Sequence, residues 1–309
     1  MKLAFVFPGQ GSQSVGMLAA YADHPAVAAT MREASDVLGR DLAALASTGP
    51  EADLNQTVNT QPVMLAADVA VYRAWVAAGG LAPVLVAGHS LGEYAALVVA
   101  GAFTFADALR LVQARAEAMQ AAVPEGAGGI AAILGLDEAK IREACAEAAQ
   151  GEAVEAANLN APGQIVIAGA RAAVERAIEA AKAKGAKRAI LLPMSVPSHC
   201  SLMRPAAEKL AVRLASVPIA APSIPVINNA DVTSPKEPQA IADALVRQLH
   251  NPVRWIETVT AMADQGATHI VECGPGKVLQ GMVKRIAPQV TAFTLSSSAA
   301  IAETVQALK

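Results

Sequence analysis

Aromatic residues make up only 3% of this 309-residue chain and charged residues only 17%, against 54% hydrophobic. Such a chain packs through alanine, valine, leucine and isoleucine, as soluble α/β proteins do, and is too apolar to stay disordered. Neither sign of charge prevails. The 24 Lys+Arg and 27 Asp+Glu leave a net charge of -3 and a pI near 6.0, which excludes the basic face that nucleic-acid binding requires. Cysteine is scarce. Cys145, Cys200 and Cys273 are odd in number and scattered, fitting neither a disulfide framework nor a C-x-x-C zinc site, and they point to a reducing, cytoplasmic compartment. No H-E-x-x-H or carboxylate cluster argues for a metal, and no G-x-x-x-x-G-K-[ST] or G-x-G-x-x-G argues for a bound nucleotide cofactor. Long hydrophobic runs are missing too. The opening Lys2 to Phe7 is stopped by Pro8-Gly9, too early for a signal peptide, and the stretch from Met64 to Ala87 is broken by Asp68, Arg73 and Gly79-Gly80, so no membrane span is expected.

What is present is an α/β rhythm. A strand at Lys2–Phe7 leads into the loop from Pro8 to Gly16; helical periodicity follows over Ala26–Leu38 and Gln61–Ala78. A buried strand at Val84–Ala87 precedes helices at Ser90–Ala100 and Phe105–Ala122, the latter with Thr104 and Asp107 as a capping box. After the Gly/Pro stretch from Pro124 to Gly129 the order becomes βαββαβ: 130–134, 137–149, 154–157, 164–168, 171–184 and 188–192. That is the ferredoxin-like pattern. It reads as an insertion, residues 128–197, whose return is marked by Pro193 and Pro197, in a core formed by 1–127 and 198–309. The core resumes with helix 201–216, strand 224–228, helices 238–249 and 255–265, strand 269–273 and helix 278–286.

Gly88-His89-Ser90-Leu91-Gly92 is a G-x-S-x-G sequence set between an apolar strand and an apolar helix, the context of a nucleophile elbow. The glycines permit a sharp turn and the helix N-terminus would favour an oxyanion; a tight turn without chemistry remains the plain alternative. A serine needs a base, and five histidines are available. His89 adjoins Ser90 where successive side chains diverge, His24 lies in a turn, His250 near a helix end and His269 on a strand with buried neighbours. His199, at the return of the inserted unit, can overhang a cleft between subdomains; Cys200 beside it is a weaker candidate nucleophile. On the helix from Phe105, Arg115 falls seven residues after Ala108, within about 20° of the apolar stripe, whereas Arg110 lies about 200° away. An inward guanidinium needs an anion, either a protein carboxylate or a ligand carboxylate. The loop Pro8 to Gln13 sits where α/β active sites form.

These motifs together resemble the malonyl-CoA:acyl carrier protein transacylases of bacterial fatty acid synthesis and the related acyltransferase domains of polyketide synthases. The resemblance runs through Phe-Pro-Gly-Gln-Gly-Ser-Gln at 7–13, Gly-His-Ser-Leu-Gly-Glu-Tyr at 88–94, Gln-Ala-Arg at 113–115, Asn-Ala-Pro-Gly-Gln at 160–164, Val-Pro-Ser-His at 196–199, Gln-Leu-His-Asn-Pro-Val-Arg-Trp at 248–255 and Gly-Pro-Gly-Lys at 274–277. It implies an α/β-hydrolase-like core with a parallel sheet and a ferredoxin-like subdomain. It implies further that Ser90 and His199 form a dyad, that a backbone carbonyl at Gln248 orients the histidine in place of a carboxylate, that the amides of Gln10 and Leu91 form the oxyanion hole, and that Arg115 grips the malonyl carboxylate. His250 departs from the tyrosine common in the family.

The resemblance implies ping-pong transfer of malonyl from malonyl-CoA to the phosphopantetheine thiol of acyl carrier protein, with no permanently bound cofactor, by a chain expected to act as a monomer. The partner is acidic, so Lys182, Lys184, Lys187, Arg188, Lys284 and Arg285 are candidates for a docking lip by composition. A serine esterase or thioesterase would share the dyad but pass the acyl group to water; a docking module would not need Ser90. A malonyl transferase of malonate decarboxylase or of a polyketide pathway would carry the same dyad and arginine.

Overall fold

Two sheets organise the chain in the computed structural model, which describes residues 1–194 and 196–309. The first half holds β1 (Leu3–Phe7), α1 (Pro25–Leu38), α2 (Leu42–Thr48), α3 (Glu51–Leu54), α4 (Thr57–Ala77), β2 (Leu85–Gly88), α5 (Gly92–Val99) and α6 (Phe105–Ala122). Then come β3 (Gly128–Leu134), α7 (Glu138–Ala149), β4 (Val154–Ala161), β5 (Gln164–Ala170), α8 (Arg171–Ala183) and β6 (Arg188–Leu191). The remainder is α9 (Arg204–Leu214), β7 (Val226–Ile227), α10 (Pro238–His250), α11 (Trp255–Asp264), β8 (His269–Glu272), α12 (Val278–Ile286), β9 (Thr291–Thr294) and α13 (Ser298–Ala307).

The larger sheet is parallel throughout, in the order β7-β2-β1-β8-β9. β1 is buried at every position, which is why it reads as an uninterrupted apolar run. Phe7 pairs with Gly88 at the carboxyl ends of β1 and β2, so the loops after both strands open on the same side of the sheet, where such folds bind ligands. The smaller sheet is antiparallel, β4-β5-β3-β6, the strand order of a ferredoxin-like βαββαβ unit, with α7 and α8 packed on one face through Ile141, Ala144, Val174 and Ala177. The fold class expected from the sequence is thus present: a parallel α/β sheet and a separate ferredoxin-like sheet. The segment between Pro193 and Pro197 that returns the chain to the core is described apart from Ser195, which lies outside the described residues.

Several boundaries differ from the sequence reading, each for a local reason. α4 starts at Thr57 rather than 61, leaving Pro62 in the second turn; the Val58 carbonyl that Pro62 cannot serve takes a hydrogen bond from Arg40 Nη2 at 3.0 Å instead. α5 starts at Gly92 and not at Ser90, whose φ is 52°. The strand expected at 224–228 shrinks to β7, because the backbone and side chain of Asn228 turn to Thr233. The helix expected from 201 opens as a 3-10 turn, Ser201–Met203, before α9. Four elements, α2, α3, β9 and α13, were not expected. Among the described residues no helix is long and apolar enough to cross a membrane.

Candidate active site

The turn from β2 into α5 is tight enough to demand glycine: a Cβ on Gly88 would lie 1.8 Å from the carbonyl carbon of Gly92. The chain passes through Ser90 in the left-handed region, a conformation that costs a serine of order 1–3 kcal/mol and points its hydroxyl out of the turn. His199 is likewise left-handed, with φ of 63°. The two strained residues face each other: Ser90 Oγ lies 2.7 Å from His199 Nε2.

The imidazole is fixed from behind. Nδ1 lies 2.8 Å from the carbonyl oxygen of Gln248, an atom that can only accept, so Nδ1 carries the proton and Nε2 presents its lone pair to the Ser90 hydroxyl. Burial, and then the nearby Arg115 guanidinium, push the His199 pKa down to about 3. The histidine is a neutral base with a neutral acceptor behind it, and among the described residues no carboxylate completes a triad.

Arg115 on α6 points inward as its helical phase predicts, and is 1% exposed. Nη1 donates to Gln61 Oε1 at 2.6 Å; Nη2 donates to Gln248 Oε1 at 3.1 Å and to Ser90 Oγ at 3.3 Å. The guanidinium also lies over the Tyr94 ring, 5.4 Å from its centroid. All its hydrogen-bond partners are neutral, and Nε has none among the described residues. Among the described residues no carboxylate pairs directly with the guanidinium; buried Glu93 acts on it through space.

The loop after β1 comes against the elbow so closely that a Cβ on Gly9 would lie 2.4 Å from the His89 carbonyl oxygen. This approach brings Gln10 and Leu91 to the same cleft as Ser90. Neither backbone N–H has an acceptor among the described residues, whereas the Ser90 N–H is taken by Asn229 Oδ1 at 2.6 Å. Two free amides beside a serine hydroxyl can receive a developing oxyanion. The cleft, about 260 Å³, is walled by Gln10, Ser90 and Arg115 from the core and by Ile130, Asn160 and Val166 from the antiparallel sheet.

The other candidates separate cleanly. His89 is half-buried, lies 2.8 Å from Asn160 Oδ1 and packs edge-on against Trp255, so it joins the two sheets and not the nucleophile. Cys200 is buried, donates to the Pro197 carbonyl and has its thiol pushed up to about 12 by burial, which makes it inert as a nucleophile. Of the cationic residues, Lys182 pairs with Glu179 and Lys184 with Glu147. Arg285 reaches Gln164 at 2.6 Å and the Pro162 carbonyl, at the rim of the cleft. Sequence reasoning missed Gln61, Glu93 and Asn229. Gln61 had a signal, a polar residue on the apolar face of a helix; so had Asn229, which directly follows the strand expected at 224–228, on the ligand side of the sheet.

The family described as acyl transferase domain matches residues 4–305. Among curated relatives, the malonyl CoA-acyl carrier protein transacylase of Escherichia coli strain K12 is 57% identical over 306 residues, 99% of each chain. The solved acyl-carrier-protein S-malonyltransferase of Burkholderia pseudomallei 1710b superposes with a TM-score of 0.97 at 57% identity, covering 99% of this chain and 100% of that one. A malonyl-transacylase solved in complex with a type II polyketide acyl carrier protein gives 0.98 at 53% identity, with the same coverage.

Proposed function

Because the chain belongs to the acyl transferase domain family, we propose that it transfers a malonyl group from malonyl-CoA to the phosphopantetheine thiol of acyl carrier protein, in fatty acid biosynthesis, through a malonyl ester of Ser90. The observation that carries the substrate choice is Arg115: a buried cation 3.3 Å from the nucleophile, with only neutral partners. Glu93, the buried carboxylate that attracts it through space, accepts its own bonds from Asn229 and Gln248, so the guanidinium keeps room for a direct pair with a ligand carboxylate. The free carboxylate of malonate, two bonds beyond the thioester carbon, is of the right sign and reach.

Neutral His199 takes the Ser90 proton on Nε2 as Oγ attacks the thioester carbon; the oxyanion forms against the Gln10 and Leu91 amides. When the C–S bond breaks, His199 gives that proton to the departing CoA sulfur. The carrier's thiol then loses its proton to His199, attacks the ester and regenerates the Ser90 hydroxyl. The Gln248 carbonyl holds the imidazole in one tautomer throughout. No step calls for a cofactor beyond the two thiol-bearing substrates. In this reading residues 128–197 are an inserted subdomain, the cleft beside residues 1–127 and 198–309 admits the pantetheine arm, and the enzyme works in the cytoplasm.

Mass spectrometry after mixing with malonyl-CoA tests the reading: a malonyl adduct on Ser90 that acyl carrier protein discharges is expected. Free malonate released as fast as the carrier is charged would make the chain a hydrolase instead. Arg115→Ala should reduce the preference for malonyl over acetyl groups by about 10²-fold, the loss of one charge-assisted pair; an unchanged preference would remove Arg115 from substrate selection.

A further inference from the structure

β7 ends at Ile227, before it reaches the level of Ser90, yet the hydrogen-bond ladder continues. The side-chain amide of Asn229 takes over: Oδ1 accepts from the Ser90 N–H at 2.6 Å and Nδ2 donates to the Gly88 carbonyl at 2.7 Å. Those two groups flank His89, and they are the pair that the N–H and C=O of one residue on a neighbouring parallel strand would engage. On the opposite side the His89 N–H bonds the Phe7 carbonyl of β1 at 2.9 Å. One amide side chain therefore stands in for a missing strand residue at the point where the chain enters the elbow.

Asn229 is itself held. Its N–H donates to Glu93 Oε2 at 2.8 Å, and the same oxygen accepts from Gln248 Nε2 at 2.8 Å. Gln248 Nε2 also reaches the Ser90 carbonyl at 3.0 Å. Asn229 and Gln248 are fully buried and Glu93 is 2% exposed, so water does not compete for these bonds. Both peptide groups of Ser90 are thus engaged, the N–H by Asn229 and the C=O by Gln248. This has two effects: the left-handed backbone of Ser90 is pinned, and its N–H is withheld from the oxyanion, leaving that task to Gln10 and Leu91.

We propose that Asn229, anchored by Glu93, is a positioning residue for the nucleophile: its side-chain amide prolongs the sheet through the elbow and fixes the backbone from which Ser90 Oγ meets His199. The proposal rests on Ser90 being the nucleophile. The amide touches no reacting atom, so its loss should slow chemistry and leave the substrate grip of Arg115 alone.

The test is Asn229→Ala, with Asn229→Asp as a second variant that keeps the acceptor for Ser90 and loses the donor to Gly88. Active sites are counted with a fluorophosphonate, a serine-directed probe that has neither carboxylate nor CoA. Pre-steady-state release of CoA from malonyl-CoA is then measured per labelled site. The alanine variant should acylate about 10²-fold more slowly, the scale of a small misplacement of a reacting group, with KM for malonyl-CoA within about twofold and labelling slowed in parallel. The aspartate variant should fall between it and wild type. A per-site rate within about twofold of wild type, or a raised KM with kcat unchanged, would overturn the proposal. If the alanine variant does not fold, the aspartate variant decides on the same two criteria. Failure of the underlying reading would appear separately, as wild-type protein whose Ser90 takes up neither probe nor malonyl.

Discussion

A general base must be unprotonated to act, and His199 is kept so by burial and by Arg115 rather than by an acidic neighbour. Its pKa lies far below the ordinary 6.5, so the base form persists as the solution becomes acidic. Between about pH 8 and about pH 5 the site group that titrates is Glu93, which burial raises to about 7; in Glu93→Gln the profile of kcat/KM for malonyl-CoA, which reports ionisations of the free enzyme, should therefore be flat across that range. An acid limb with its midpoint near 6.5 that persists in Glu93→Gln would show that His199 titrates like an exposed histidine. Asp68 on α4 presents the opposite sign. Its carboxylate is buried, both oxygens lack partners among the described residues, and burial followed by the charge of Glu272 holds its pKa well above 3.8. The folded protein keeps the proton while the unfolded chain releases it above about pH 4, so Asp68 costs stability increasingly as the pH rises toward its folded pKa. Asp68→Asn should raise stability by about 1–3 kcal/mol at neutral pH and by less near pH 4, measured as urea midpoints at the two pH values. An equal change at both pH values would contradict this assignment.

Elements carry their own repairs. Pro62 leaves the Val58 carbonyl without its helical donor, and Arg40, from the loop after α1, fills the place while also bonding Asn59 and Gln113. Arg40→Ala should destabilise the first turns of α4 by about 1–3 kcal/mol, read from a lowered urea midpoint at unchanged m-value; a shift under about 0.3 kcal/mol would mean water replaces the guanidinium. This repair also explains an error of sequence reading: proline favours the first turn of a helix, so Pro62 suggests a start near 61, and nothing local announces an arginine twenty-two residues earlier. Long periodic elements were legible to the residue, as with α6 and α12. α13 and α2 were legible in principle, since Ser297 and Asp41 cap them; β9 pairs only with β8 at the sheet edge and has little pattern to show. In the site, Ser90 and the inward Arg115 could be argued from spacing alone. His199 stood above four other histidines by its place at the return of the inserted unit, but its pairing with Ser90 needed the resemblance, and the Glu93–Asn229 support depends on residues 136 positions apart, a distance that periodicity does not span.

At the scale of the whole molecule the two sheets are joined by more than a linker. Backbone bonds run from Leu159 to the Val253 carbonyl and from Val253 to the Ala157 carbonyl, both 2.9 Å, making a parallel bridge between β4 and the segment before α11. Glu155 receives the Ser201 N–H, and His89 reaches Asn160 across the cleft. With the seam built of ladder bonds, the sheets should unfold together. Calorimetry is expected to give one transition with calorimetric and van't Hoff enthalpies in agreement; two resolved transitions would show that the seam opens first.

The bridge at Val253 lies five residues after Gln248, whose carbonyl orients His199. One short stretch of chain therefore gauges the width of the cleft and aims the base, like a caliper whose jaw also carries the trigger. Prising the walls apart would turn the imidazole away from Ser90, so the gap between the walls and the aim of the base cannot be altered separately.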